Sequence, residues 1–70
     1  MLTVLLDVVA LNAPLPDKGL ARGQVGTVVE VLTPNVFEVE FSDGEGRAYG
    51  LVPVRADQLM LLHFQPMKVA

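Results

Sequence analysis

His63 is the only histidine of the chain and Ser42 the only serine, and Asp43 follows Ser42 directly. These are the three residue types of a hydrolytic triad. The order Phe41-Ser42-Asp43-Gly44 lacks the strained elbow that exposes a serine nucleophile. It reads instead as turn chemistry, in which Ser and Asp side chains bond nearby backbone. Joining Ser42 to His63 would also require a hairpin tip to meet the far end of the chain. Asp17, Asp43 and Glu45 offer carboxylates, but Asp43-Gly44-Glu45-Gly46 lacks the repeated oxygen ligands and distal glutamate of a calcium loop. Gly19, Gly23, Gly26, Gly44 and Gly46 are followed by strand-forming residues, not by the helix N-terminus that a phosphate cradle needs. Cysteine is absent, which removes disulfides and thiolate metal sites. No enzyme, no metal and no cofactor is expected.

Charge narrows the partners. Eight acids stand against five bases, for a net charge of -3. The bases Lys18, Arg22, Arg47, Arg55 and Lys68 are scattered, with no two adjacent. Such a chain does not build the phosphate-tracking surface that nucleic-acid affinity needs, and an anionic membrane is disfavoured for the same reason. The apolar start Met1-Leu2-Thr3-Val4-Leu5-Leu6 is cut by Asp7 and has no basic residue before Lys18. It does not read as a signal peptide, and no stretch approaches the roughly 20 apolar residues of a membrane-spanning helix. A cytoplasmic location is the default expectation.

Seventy residues, 51% of them hydrophobic, have to position whatever chemistry remains. That length allows one small domain, and such a domain buries only about 60% of the surface its unfolded chain exposes. Period two dominates the apolar pattern. Strands are expected over about 4–11, 24–32, 36–41, 47–52 and 58–62. The first is apolar on both faces apart from Thr3 and Asp7, so it reads as lying between two layers or at a subunit contact. A long loop through Pro14-Leu15-Pro16 to Gly23 follows, with Leu20 as its anchor to the core. Gly26, inside the second strand, marks a bend, a bulge or a close backbone approach. Thr33-Pro34-Asn35 makes a turn.

Phe37, Val39 and Phe41 alternate with Glu38 and Glu40, the pattern of a half-buried strand. Asp43-Gly44 then predicts a two-residue hairpin turn. That register sets Ser42 opposite Glu45, Glu40 opposite Arg47, Glu38 opposite Tyr49 and Val36 opposite Leu51. Pro53 is expected to end the fourth strand, and Val54-Arg55-Ala56-Asp57 suits a single 3-10 turn. The sum is an all-β chain, a small five-stranded SH3-like barrel with a long first loop and a 3-10 turn before the last strand.

The wording of the chain carries a resemblance. Leu6-Asp7-Val8-Val9-Ala10-Leu11, Leu20-Ala21-Arg22-Gly23-Gln24-Val25-Gly26-Thr27-Val28-Val29-Glu30, Phe37-Glu38-Val39-Glu40-Phe41, Ala56-Asp57-Gln58-Leu59 and the Leu62-His63-Phe64 exit resemble Domain of Unknown Function 4926, a family of short bacterial proteins abundant in cyanobacteria. The resemblance implies an SH3-like fold, brings no activity, cofactor or catalytic residue, and suggests a place in toxin–antitoxin-like gene pairs. A looser resemblance links Gly23 to Val31 with the KOW element of ribosomal and transcription factors. Nucleic-acid-binding versions of that element are basic, whereas Glu30 stands here, so the shared glycine speaks for geometry and not for a ligand.

A barrel this small cannot hide so much apolar sequence, and contiguous exposed apolar patches mark association sites. The expected function is therefore a non-enzymatic protein–protein interaction module, self-associating as a homo-oligomer. Val4, Leu5, Val9, Leu11, Leu62 and Phe64 are the expected contact residues. An acidic antidote-type partner of a toxin-like protein is the alternative. A KOW-like nucleic-acid binder is a further alternative that the negative charge opposes. A groove for proline-rich peptides needs an aromatic lining, and the chain has only Phe37, Phe41, Tyr49 and Phe64 to offer, with no tryptophan.

Overall fold

The computed structural model describes residues 5–43, 45 and 47–62. β-branched and apolar residues at alternate positions give five strands: β1 (Val8–Leu11), β2 (Val25–Thr33), β3 (Val36–Ser42), β4 (Ala48–Arg55) and β5 (Leu59–Leu61). They form one antiparallel sheet in the order β4-β3-β2-β1-β5. No α-helix occurs among the described residues, only 3-10 turns at Pro16–Lys18 and Ala56–Gln58. The all-β expectation holds, as does the 3-10 turn before the last strand.

One face of the sheet carries the core. Val9, Leu11, Val28, Phe37, Val39, Phe41, Val52, Val54 and Leu59 are buried together there. Leu20 joins them from the first loop, where Leu15 bridges to it across the 3-10 turn. Its role as the loop's anchor is as expected.

β1 is shorter than the sequence predicts. Leu5 and Leu6 form a turn, with Leu6 in the left-handed region at φ 68. The Leu6 N–H donates to the Val28 carbonyl at 2.7 Å and the Val28 N–H to the Asp7 carbonyl at 2.9 Å, so the chain stays tied to β2 as it turns. Val4 and the start of the expected strand lie outside the described residues. Gly26 is a place of close approach. A Cβ there would lie 2.6 Å from Val39 Cγ1 and 2.8 Å from the Glu40 carbonyl oxygen. Beyond it β2 carries register shifts between Val28 and Glu30 and between Val31 and Thr33.

The β3–β4 hairpin corrects the sequence reading. Glu40 pairs with Leu51, Glu38 with Pro53, Val36 with Arg55 and Ser42 with Ala48. None of the partners expected from a two-residue turn is found. The connection is the wider loop 43–47, closed by the Asp43 N–H donating to the Arg47 carbonyl at 2.9 Å. Asp43 Oδ1 accepts the backbone N–H groups of Glu45 and Arg47 at 2.9 and 3.0 Å. Burial explains why the wider loop wins. The expected register would set Ala48 and Gly50 opposite Val39 and Phe37; the observed one sets Val52 and Val54 there. Burying a valine is worth about 1.5–3 kcal/mol. The shift is even in residue number, so Phe37, Val39 and Phe41 still face the core and Glu38 and Glu40 still face out.

That shift also carries β4 through Pro53 to Arg55. Proline does not end the strand, because β4 is an edge of the sheet and an edge tolerates a missing donor. The 3-10 turn consequently starts at Ala56 and not at Val54.

Candidate functional site

The strand register fixes which side chains share the outer face. Val8, Thr27, Glu40 and Leu51 form one row across β1, β2, β3 and β4. The Leu62 N–H donates to the Val8 carbonyl at 2.9 Å and extends that row past β5. A parallel row runs from Met60 through Ala10 to Val25. A third sets Pro53, Glu38 and Glu30 side by side. Adjacent strands stand about 4.8 Å apart.

The outer face therefore has three zones. Met60, Leu62, Val8, Ala10 and Val25 make an aliphatic zone over β5, β1 and the start of β2. Glu38 and Glu40 on β3, with Glu30 beside them on β2, make an acidic zone. Leu51 and Pro53 on β4 make a second apolar edge. Val25, Leu51 and Met60 are large side chains left 47%, 56% and 55% exposed. Glu30 and Glu38 stand directly opposite each other, an arrangement of like charges that disfavours the sheet.

Arg47 and Arg55 have acidic partners of their own. Arg47 Nε bonds Asp43 Oδ2 at 3.2 Å, and Arg47 Nη2 lies 3.3 Å from Glu45 Oε2, both in the β3–β4 loop. The backbone N–H groups of Arg47 first and Glu45 second hold the Asp43 carboxyl below its ordinary range, against an opposing desolvation, and the Arg47 side chain adds the least. Arg55 Nε bonds Asp57 Oδ1 at 3.1 Å. Lys18 and Arg22 lie in the first loop.

The expected contact residues separate. Val9 and Leu11, at 0% and 1% exposure, are core residues and present nothing to a partner. They alternate with Val8, which is half-buried, and Ala10, which is 7% exposed, on the outer face. Leu5 is exposed in its turn, and Leu62 is half-buried beside Val8. Val4, His63 and Phe64 lie outside the described residues. Sequence reading missed Val25, Leu51 and Met60. Met60, between buried Leu59 and half-buried Leu61, was legible from period two alone; Leu51 needed the correct hairpin register.

Two shallow recesses lie among the described residues. One of about 350 Å³ is lined by Asn35, Val36, Arg55, Ala56 and Asp57. Another of about 150 Å³, lined by Leu15, Pro16, Asp17, Lys18, Val52 and Pro53, has no aromatic wall. Among the described residues no group of three or more His, Asp or Glu side chains is placed to hold a metal ion. No helix there is long and apolar enough to cross a membrane.

A family model described as a domain of unknown function, DUF4926, matches residues 5–61. The chain belongs to this family. The match runs from the Leu5 turn to the end of β5 and so includes every strand of the sheet. No curated protein and no solved structure matches the chain.

Proposed function

We propose that the chain is a non-enzymatic protein–protein interaction module whose contact surface is the outer face of the sheet. One observation carries the reading: Val25, Leu51 and Met60 are about half exposed on the same face, in register with the half-buried Val8 and Leu62 and with Ala10, which is buried beneath them. Scattered surface aliphatics are ordinary. A shared face of them is what association sites look like. The core does not call on these side chains, since Phe41, Val9, Leu11, Val28 and Val39 already fill the inner face.

The test compares the wild type with a Val25→Asp/Met60→Asp double variant whose melting curve confirms that it is folded. Light scattering at micromolar concentration reports association between copies, and affinity capture reports a different partner. The reading expects the wild type to make a complex that the variant loses. A wild type that stays monomeric and captures nothing the variant fails to capture would overturn it.

A further inference from the structure

We infer that the outer face is built for a partner protein that is apolar over β5–β1 and basic over β3, and not for a second copy of this chain. The inference rests on the interaction reading and adds the chemistry of the occupant.

The charges decide it. Glu40 lies between Leu51 and the row of Val25 and Met60, and Glu38 and Glu30 lie one row further on, beside Pro53. Covering Leu51 together with Val25 and Met60 covers Glu40, and a partner that also reaches Pro53 covers Glu38 as well. Among the described residues a second copy has almost nothing basic to offer on that face. Arg55, next after Val54 at the end of β4, is the only basic residue of the described strands, and its guanidinium is already bonded to Asp57 at 3.1 Å. Two copies packed over the whole face would set Glu38 and Glu40 either against their own counterparts or against the Met60, Ala10 and Val25 aliphatics. The first arrangement is repulsive, and the second desolvates an unpaired charge. A partner with Lys or Arg over β3 avoids both, and its charges steer the encounter as well. The like-charged pair Glu30 and Glu38 is then relieved on binding.

The probes are two synthetic strand-forming peptides, one alternating leucine with lysine and one alternating leucine with glutamate. Binding to the full chain is followed by NMR shifts and fluorescence anisotropy. The Leu–Lys peptide is expected to bind, with shifts concentrated at Val25, Glu38, Glu40, Leu51 and Met60, and to weaken as salt is raised. A Glu38→Lys/Glu40→Lys double variant is expected to lose about tenfold in affinity, as reversal of charges beneath a partner should. A Glu38→Gln/Glu40→Gln variant guards against misfolding and should lose less. Asp17→Lys/Glu45→Lys makes the same change in net charge away from this face and should leave affinity unchanged. Equal binding of the Leu–Glu peptide would overturn the inference, as would equal loss in the Asp17/Glu45 control. If neither peptide binds but the wild type dimerises and Val25→Asp/Met60→Asp does not, the face is an interface between copies. The occupant is then wrong while the interaction reading stands. If neither peptide binds and the chain is monomeric and captures no protein, both fail.

Discussion

Glu40 stands opposite Leu51 across the β3–β4 ladder, and Arg47 lies instead in the loop, held by Asp43 and Glu45. No electrostatic bond joins Glu40 to Arg47 in this arrangement. A double-mutant cycle on Glu40→Ala and Arg47→Ala should therefore be additive within about 0.3–0.5 kcal/mol. Thermal melts of the two single variants and the double variant measure it. A coupling well beyond that range would restore the two-residue turn and the register that goes with it.

Phe41 has no exposed surface and sits between Gly26 and Gly50 on its neighbouring strands. Phe41→Ala should cost roughly 3–5 kcal/mol, enough to unfold a domain of this size. Glu40→Ala, one residue away on the other face, should stay within about 0.5 kcal/mol. Urea unfolding of both variants checks the contrast. Comparable losses would mean that the faces of β3 are misassigned.

Much of this was legible in the sequence because period two reports faces and not partners. Phe37, Val39 and Phe41 point inward in either hairpin register, so the core of β3 follows from alternation alone. The partner strand does not. Asp43-Gly44 is a strong local turn signal, but Val52 and Val54 gain more by reaching Val39 and Phe37 than a tight turn gains locally. Pro53 misled for a related reason: its effect on a strand depends on whether the strand is an edge, which only the sheet order reveals. The expected contact residues suffered most. An apolar run on β1 does not say which alternate residues face the core: Val9 and Leu11 do, while on the other face Val8 is half-buried and Ala10 is buried.

The loop that replaces the tight turn has a pH signature. Backbone N–H groups of Arg47 and Glu45 lower the Asp43 pKa, with the Arg47 side chain contributing less. A carboxyl whose folded value lies below its unfolded value contributes stability above that unfolded value, near pH 4. The contribution is lost as pH falls through the folded value. Asp43→Asn keeps the shape and one acceptor oxygen but not the charge. The stability difference between wild type and this variant should be present at pH 6 and close as pH drops below about 4. A gap that stays constant on acidification would show that the charge is not responsible.

Gly26 tests the close contact between β2 and β3. A methyl group there meets Val39 Cγ1 at 2.6 Å, the Glu40 carbonyl oxygen at 2.8 Å and Phe41 Cδ1 at 3.0 Å. The carbonyl is backbone and cannot swing aside, and Val39 and Phe41 are fully buried. Gly26→Ala should lose about 1–3 kcal/mol through overpacking, although alanine ordinarily favours a strand over glycine. Differential scanning calorimetry gives the sign. An unchanged or raised melting temperature would mean that the two strands are further apart than described.

Leu6 makes the opposite case, a position where glycine should help. Its φ of 68 is left-handed, which costs a residue with a Cβ about 1–2 kcal/mol. Its side chain is 76% exposed, so little burial is lost on removing it. What holds the residue there is its own N–H, donated to the Val28 carbonyl at 2.7 Å, a bond that glycine keeps. Glycine is freer in the unfolded chain, which takes back about 0.5–1 kcal/mol. Leu6→Gly should therefore gain up to about 1 kcal/mol, the part of the relieved strain that survives. Leu6→Ala retains the strained backbone and should gain nothing. Urea midpoints of the two variants separate the terms, because both remove the side chain and only one relaxes φ. If glycine proves no more stable than alanine at this position, the Leu6 turn is not left-handed and β1 begins earlier than Val8.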